Sequence, residues 1–193
     1  MTEQSPTRNV EYGLRTGNPE PLLPATHSGL RARTSRVALL RRLVGSSLVG
    51  GFVLAADQIT KALAERFLLG HPDQSMHVIS DFARLTYVSN RGAAFGILQD
   101  RTEFFVVVGL VVVGVILASY WYFPVTSGVL NLALGLQLGG AVGNLIDRVR
   151  FGYVVDFIDL GVWPVFNLAD SAIVVGVGIL AFHLLRSSDG RTT

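Results

Sequence analysis

The sequence predicts a mainly α membrane protein, a four-transmembrane-helix bundle with a small β-containing extracytoplasmic segment between helices 1 and 2. Three observations carry this. Half of the 193 residues are apolar and only 16 % are charged, below the roughly 25 % of ordinary globular chains. Four apolar stretches are long enough to cross a hydrocarbon core about 30 Å thick at about 1.5 Å per helical residue. A cluster of arginines, Arg31, Arg33, Arg36, Arg41 and Arg42, precedes the first of these stretches, as expected of a membrane-side flank.

In chain order, residues 1 to about 36 are rich in Pro, Thr, Arg, Gly and Ser without sustained periodicity and are expected to form a disordered cytoplasmic tail. The run behind them is too long for a cleaved secretory signal and is read as a mature helix. A membrane domain is expected over 37–186. Its first span, about 43–67, is apolar except for Asp57, Gln58, Thr60 and Lys61 in its outer half, with Glu65 and Arg66 at its end. The outer segment 68–103 contains β-prone pieces within HVISDFARLTYVSN, followed by RGAAFGIL, and predicts a small sheet lying on the bilayer. A second span, about 104–123, is almost uniformly Val, Leu, Ile and Gly and ends in Tyr120, Trp121 and Tyr122, read as an interfacial aromatic belt. A turn at 124–127 leads to a third span, about 129–149; a fourth covers about 167–185, and 187–193 form a cytoplasmic tail.

The positive-inside rule places the N-terminus in the cytoplasm, and four spans return the C-terminus to the same side. The rule is only partly obeyed, because Arg66, Arg84, Arg91, Arg101, Arg148 and Arg150 then lie outside. The formal net charge of +2 gives no sign of a nucleic-acid partner, and the chain has no cysteine for a thiolate nucleophile, a disulfide or metal ligation. His27, His71, His77 and His183 are scattered without an HExxH motif, which argues against a zinc protease.

Ionisable groups inside a span are costly and mark function by default. Here they collect at one depth: Asp57 and Lys61 on the first helix, Asn144, Asp147 and Arg148 near the outer end of the third, Asn167 and Asp170 at the start of the fourth, and Asp156 in the connection between the last two. Gln137, Gly140, Asn144, Asp147 and Arg148 recur at helical steps and share a wet face, while Gly135, Gly139 and Gly143 form a small-residue row for helix packing. Asp57 and Lys61, four apart, suit either an ion pair or direct proton transfer. Asn167 and Asp170 suit an N-cap and a first-turn acid. On spacing alone Asp147 is as attractive a catalytic acid as Asp156.

Five ordered motifs between about Ala55 and Ser171 go further. They are DQITK at 57–61, NRGAAFG at 90–96, GGAVGNLIDR at 139–148, VVDFI at 154–158 and FNLADS at 166–171. In these the chain resembles lipoprotein signal peptidase, also called signal peptidase II, the membrane aspartic peptidase of bacteria. The resemblance implies a catalytic pair at Asp156 and Asp170. It also implies supporting or substrate-binding roles for Asp57, Lys61, Asn90, Arg91, Asn144, Asp147, Arg148 and Asn167. It further implies removal of the signal peptide from diacylglyceryl-modified prolipoproteins just before the lipidated cysteine. No metal or other cofactor is expected; the expected partners are lipid-modified prolipoproteins and membrane phospholipid, with the site near the outer face of the bacterial inner membrane. NRGAAFG would help to clamp the peptide. Asp159 lies outside the VVDF match and is expected to be a solvated acid.

Overall fold

The computed structural model describes residues 27–71, 73–79, 82–92, 100–122 and 127–189. Four helices carry the chain: α1 (His27–Leu68), α2 (Thr102–Tyr122), α3 (Gly128–Phe151) and α4 (Leu168–Asp189). Each contains a stretch long and apolar enough to cross a membrane, at Leu40–Leu68, Thr102–Tyr120, Gly128–Phe151 and Leu168–Arg186. These are the predicted spans within a few residues. The expected tail boundary at 36 is corrected: α1 starts at His27, because the Arg, Ala and Leu of RARTSRVALLRR are good helix formers and nothing there breaks the helix. Residues 1–26 lie outside the described residues, as do 123–126 and 190–193.

α3 is the central helix, with half of its span buried inside the protein against 6 % for α2. Its glycine row explains how α1 comes so close. A Cβ on Gly135 would stand 2.8 Å from the Ser46 carbonyl oxygen, and one on Gly143 would stand 2.6 Å from Asp57 Oδ2. On the other side Gly176 of α4 packs against the Ala133 carbonyl of α3, where a Cβ would approach to 2.7 Å. Small residues thus bring the backbones of three helices together, and the polar side chains of α1 and α3 meet directly. α3 is capped by Gly152, whose φ of 80° suits a residue without a Cβ and whose N–H donates to the Arg148 carbonyl at 3.0 Å.

At the end of the bundle opposite the start of α1 and the end of α4 lies an antiparallel sheet of three strands in the order β1 (Ser75–Ile79), β2 (Ala83–Asn90), β3 (Val154–Asp159). The first two are the predicted β pieces between helices 1 and 2. β3 was not expected: the VVDFI segment reads as a connection, yet it pairs with β2, placing Val88 opposite Asp156 and Asn90 opposite Val154. Leu68 and Ala64 of α1 pack with Phe157, Leu85, Tyr87 and Ile158, and this small core fixes the sheet over the helix ends. The aromatic belt is corrected at Tyr120, which is buried with Ile116 and Leu134 against α3 rather than placed at an interface. The side chains of Trp121 and Tyr122 lie outside what is described.

Candidate active site

The site begins with an ionic centre between α1 and α3. Asp57, Lys61 and Asp147 are all buried, and the Lys61 ammonium lies 2.9 Å from Asp57 Oδ2 and 2.7 Å from Asp147 Oδ2. Its remaining contact is donation to Asn144 Oδ1 at 3.0 Å. The i, i+4 ion pair read from spacing is present, and Asp147 completes it from the neighbouring helix. Gln58, absent from the predicted site, donates to Asp147 Oδ1 at 2.9 Å and to Asp57 Oδ2 at 3.3 Å. Its signals were its place inside DQITK and its polar side chain within an apolar span. Asp57 Oδ1 in turn accepts the Ala169 backbone N–H at 3.0 Å, which ties α1 to the first turn of α4.

That first turn is a reciprocal cap. Asn167 precedes α4, its Oδ1 accepts the Asp170 N–H at 2.9 Å, and Asp170 Oδ2 accepts the Asn167 N–H at 3.3 Å. The side-chain amide of Asn167 remains available and donates to Asp156 Oδ1 at 2.7 Å. One residue therefore holds both acids: capping was the correct reading of Asn167 and Asp170, and the cap delivers Asp170 to the neighbourhood of Asp156. Asn144 adds a 2.7 Å donor to Asp170 Oδ1. Asn90 on β2 adds a 2.8 Å donor to Asp156 Oδ2, while its own Oδ1 accepts the Gly92 N–H at 3.0 Å, so the amide cannot turn round without losing a bond.

The two acids differ in environment. Asp156 is 1 % exposed, whereas Asp170 is partly exposed and forms the open side of the pair. Burial and then the negative charge of Asp170 push the Asp156 carboxyl up to about 7, against the lowering effect of Asn90, Asn167 and Lys61. Asp159, on the same strand, is set apart. Its carboxyl accepts the Gly161 N–H at 2.8 Å and pairs with Arg84 at 2.8 Å, and these partners hold it below its ordinary range.

Comparison with known proteins bears on this constellation. The profile of the family described as Signal peptidase (SPase) II matches residues 49–186. The lipoprotein signal peptidase of Moorella thermoacetica is 54 % identical over 138 residues, covering 72 % of this chain and 91 % of that protein. That of Caldanaerobacter subterraneus is 52 % identical over 139 residues, covering 72 % and 94 %. A bacterial membrane enzyme solved by the in meso method at 2.3 Å resolution superposes with a TM-score of 0.70 at 32 % identity, over 76 % of this chain and 91 % of that one. The chain belongs to the signal peptidase II family. It is accordingly a multi-pass membrane aspartic peptidase.

Of the residues that the family motifs point to, Asp57, Lys61, Asn90, Asn144, Asp147, Asp156, Asn167 and Asp170 converge in one hydrogen-bonded network. The other two do not join it. Arg91 pairs with Asp100 at 3.5 Å on the surface, both side chains being exposed. Arg148 lies over the Phe105 ring of α2, 5.1 Å from its centroid. Residues 93–96 of NRGAAFG, most of the expected clamp, lie outside the described residues. Among the described residues no group of His, Asp or Glu side chains is arranged to hold a metal ion.

Proposed function

We propose that Asp156 and Asp170 are the catalytic dyad with which this peptidase removes the signal peptide from diacylglyceryl-modified prolipoproteins, cutting just before the lipidated cysteine. The observation that carries the reading is Asn167, which donates to Asp156 from its side chain and is locked to Asp170 by reciprocal hydrogen bonds. Two carboxyls held this way share one proton, because joint ionisation at short range is resisted.

The ionised member takes a proton from water as the hydroxide oxygen bonds to the scissile carbonyl carbon, while the protonated member gives its proton to the carbonyl oxygen. Collapse of the tetrahedral intermediate breaks the C–N bond. The proton taken from water goes to the departing amine, and the other returns to the dyad. The apparent pKa values belong to the pair. Asn90, Asn144 and Asn167 hold the carboxyls in place throughout, and the partly exposed Asp170 faces the side from which water and peptide arrive.

The protein sits in the bacterial inner membrane with both termini in the cytoplasm and the dyad near the outer face. There the acyl chains and the apolar signal helix stay in lipid, among membrane phospholipid, while the peptide bond reaches the acids. Asp156→Asn and Asp170→Asn are each expected to lower the rate of prolipoprotein cleavage in detergent micelles by at least about 10²-fold with the protein still folded. Retained activity in either variant would overturn the assignment.

A further inference from the structure

Resting on that reading of the dyad, we propose that Lys61 is a positioning residue that acts on Asp170 through Asn144, fixing which end of the Asn144 amide faces the acid. An ammonium has three N–H donors and no acceptor. All three of those on Lys61 are engaged, by Asp57 Oδ2 at 2.9 Å, Asp147 Oδ2 at 2.7 Å and Asn144 Oδ1 at 3.0 Å. With the side chain only 4 % exposed, no donor is left for substrate.

The consequence lies at the far end of the amide. Because Lys61 can only donate, the oxygen of Asn144 must face it, and the NH₂ group must face Asp170, to which it donates at 2.7 Å. The Asn167 amide, donating to the same oxygen at 3.2 Å, enforces the same orientation. Turning Asn144 round would set NH₂ against an ammonium and another NH₂ on one side, and oxygen against a carboxylate oxygen on the other. Asp57 and Asp147 both pair with Lys61 inside the bundle, and Gln58 holds Asp147 in turn. The ionic centre and the DQITK motif thereby acquire a defined task in catalysis beyond joining α1 to α3.

The test is a double-mutant cycle on the full-length enzyme in detergent, with cleavage of a lipidated prolipoprotein and thermal unfolding both measured. Lys61→Gln, which can present an acceptor to Asn144, and Asn144→Leu, which has no donor, are each expected to lower kcat by about 10- to 100-fold, the effect of one hydrogen bond to a charged group. KM should move little. The double variant is expected to be no slower than Asn144→Leu alone, since a residue acting through Asn144 has nothing to act on once the amide is gone. A double variant slowed by the product of the two single effects would overturn the proposal. So would unchanged kcat per folded molecule in Lys61→Gln, the result of a purely structural role. If Lys61→Gln does not fold, Asn144→Asp decides: it keeps an acceptor for Lys61 and has no N–H for Asp170, so it should match Asn144→Leu, and full activity would overturn the proposal. Failure of the dyad itself would show separately, as activity surviving in the aspartate variants.

Discussion

Asp156 and Asp159 share a strand and a side-chain type, and their surroundings give them opposite character. Three positions apart in a strand, they point to opposite faces. Asp156 turns toward the helix ends, where burial and the neighbouring Asp170 raise its pKa to about 7. Asp159 turns to Arg84 and the Gly161 N–H, which favour its ionised form. This makes stability a probe of the assignment. The folded-state pKa of Asp156 lies above its unfolded value of about 3.9, so the folded protein holds that proton more tightly, and the stabilisation is lost as pH rises from about 4 to about 7. Asp156→Asn lacks this titration. It should gain on the parent protein by about 1–3 kcal/mol between pH near 4 and pH near 8 in detergent unfolding experiments, with Asp170 sharing in the coupled transition. Identical pH dependence of the two proteins would contradict a buried, proton-sharing Asp156.

At the scale of elements, the close approach of α1 to α3 holds the ionic centre together, and glycine makes it possible. Gly143→Ala would place a methyl group 2.6 Å from Asp57 Oδ2, forcing the carboxylate off both Lys61 and the Ala169 N–H. A loss of about 1–3 kcal/mol of stability is expected from such overpacking, with a fall in cleavage rate. Gly114 on α2 is the control: nothing lies within 4 Å of a Cβ there, so Gly114→Ala should leave cleavage unchanged and add about 0.5–1 kcal/mol through helix propensity. Equal effects of the two substitutions on cleavage would refute the packing argument. The glycine row was legible in the sequence because its spacing is local, and so were the four helices, whose apolar stretches need no partner to be recognised. β3 was not, since its pairing partner lies about seventy residues earlier in the chain and VVDFI by itself fits a buried connection equally well. For the same reason spacing could not prefer Asp156 over Asp147. Only the motif resemblance did; in the fold, β3 carries Asp156 to Asn90 and Asn167, while Asp147 contacts Lys61 and Gln58.

For the whole molecule, four antiparallel spans put the start of α1 and the end of α4 at one end and the sheet, the ionic centre and both acids at the other. The arginines at the acid-bearing end, which strain the positive-inside rule, are in large part tied down: Arg84 to Asp159, Arg91 to Asp100, and Arg148 and Arg150 over the rings of Phe105 and Phe151. Under the positive-inside rule the cluster at the other end, with Arg41 and Arg42 in the first turn of the first span, is expected to face the cytoplasm. The absence of cysteine from the sequence makes this directly measurable, since any thiol is an introduced one. Asp73→Cys, at an exposed position between α1 and β1, should react with a membrane-impermeant maleimide in intact spheroplasts. Arg186→Cys, at the end of the fourth span, should react only after the membrane is permeabilised. The reverse pattern would place the dyad on the cytoplasmic side, away from a substrate whose peptide bond has already crossed the membrane, and would remove the topological basis for its role in lipoprotein maturation.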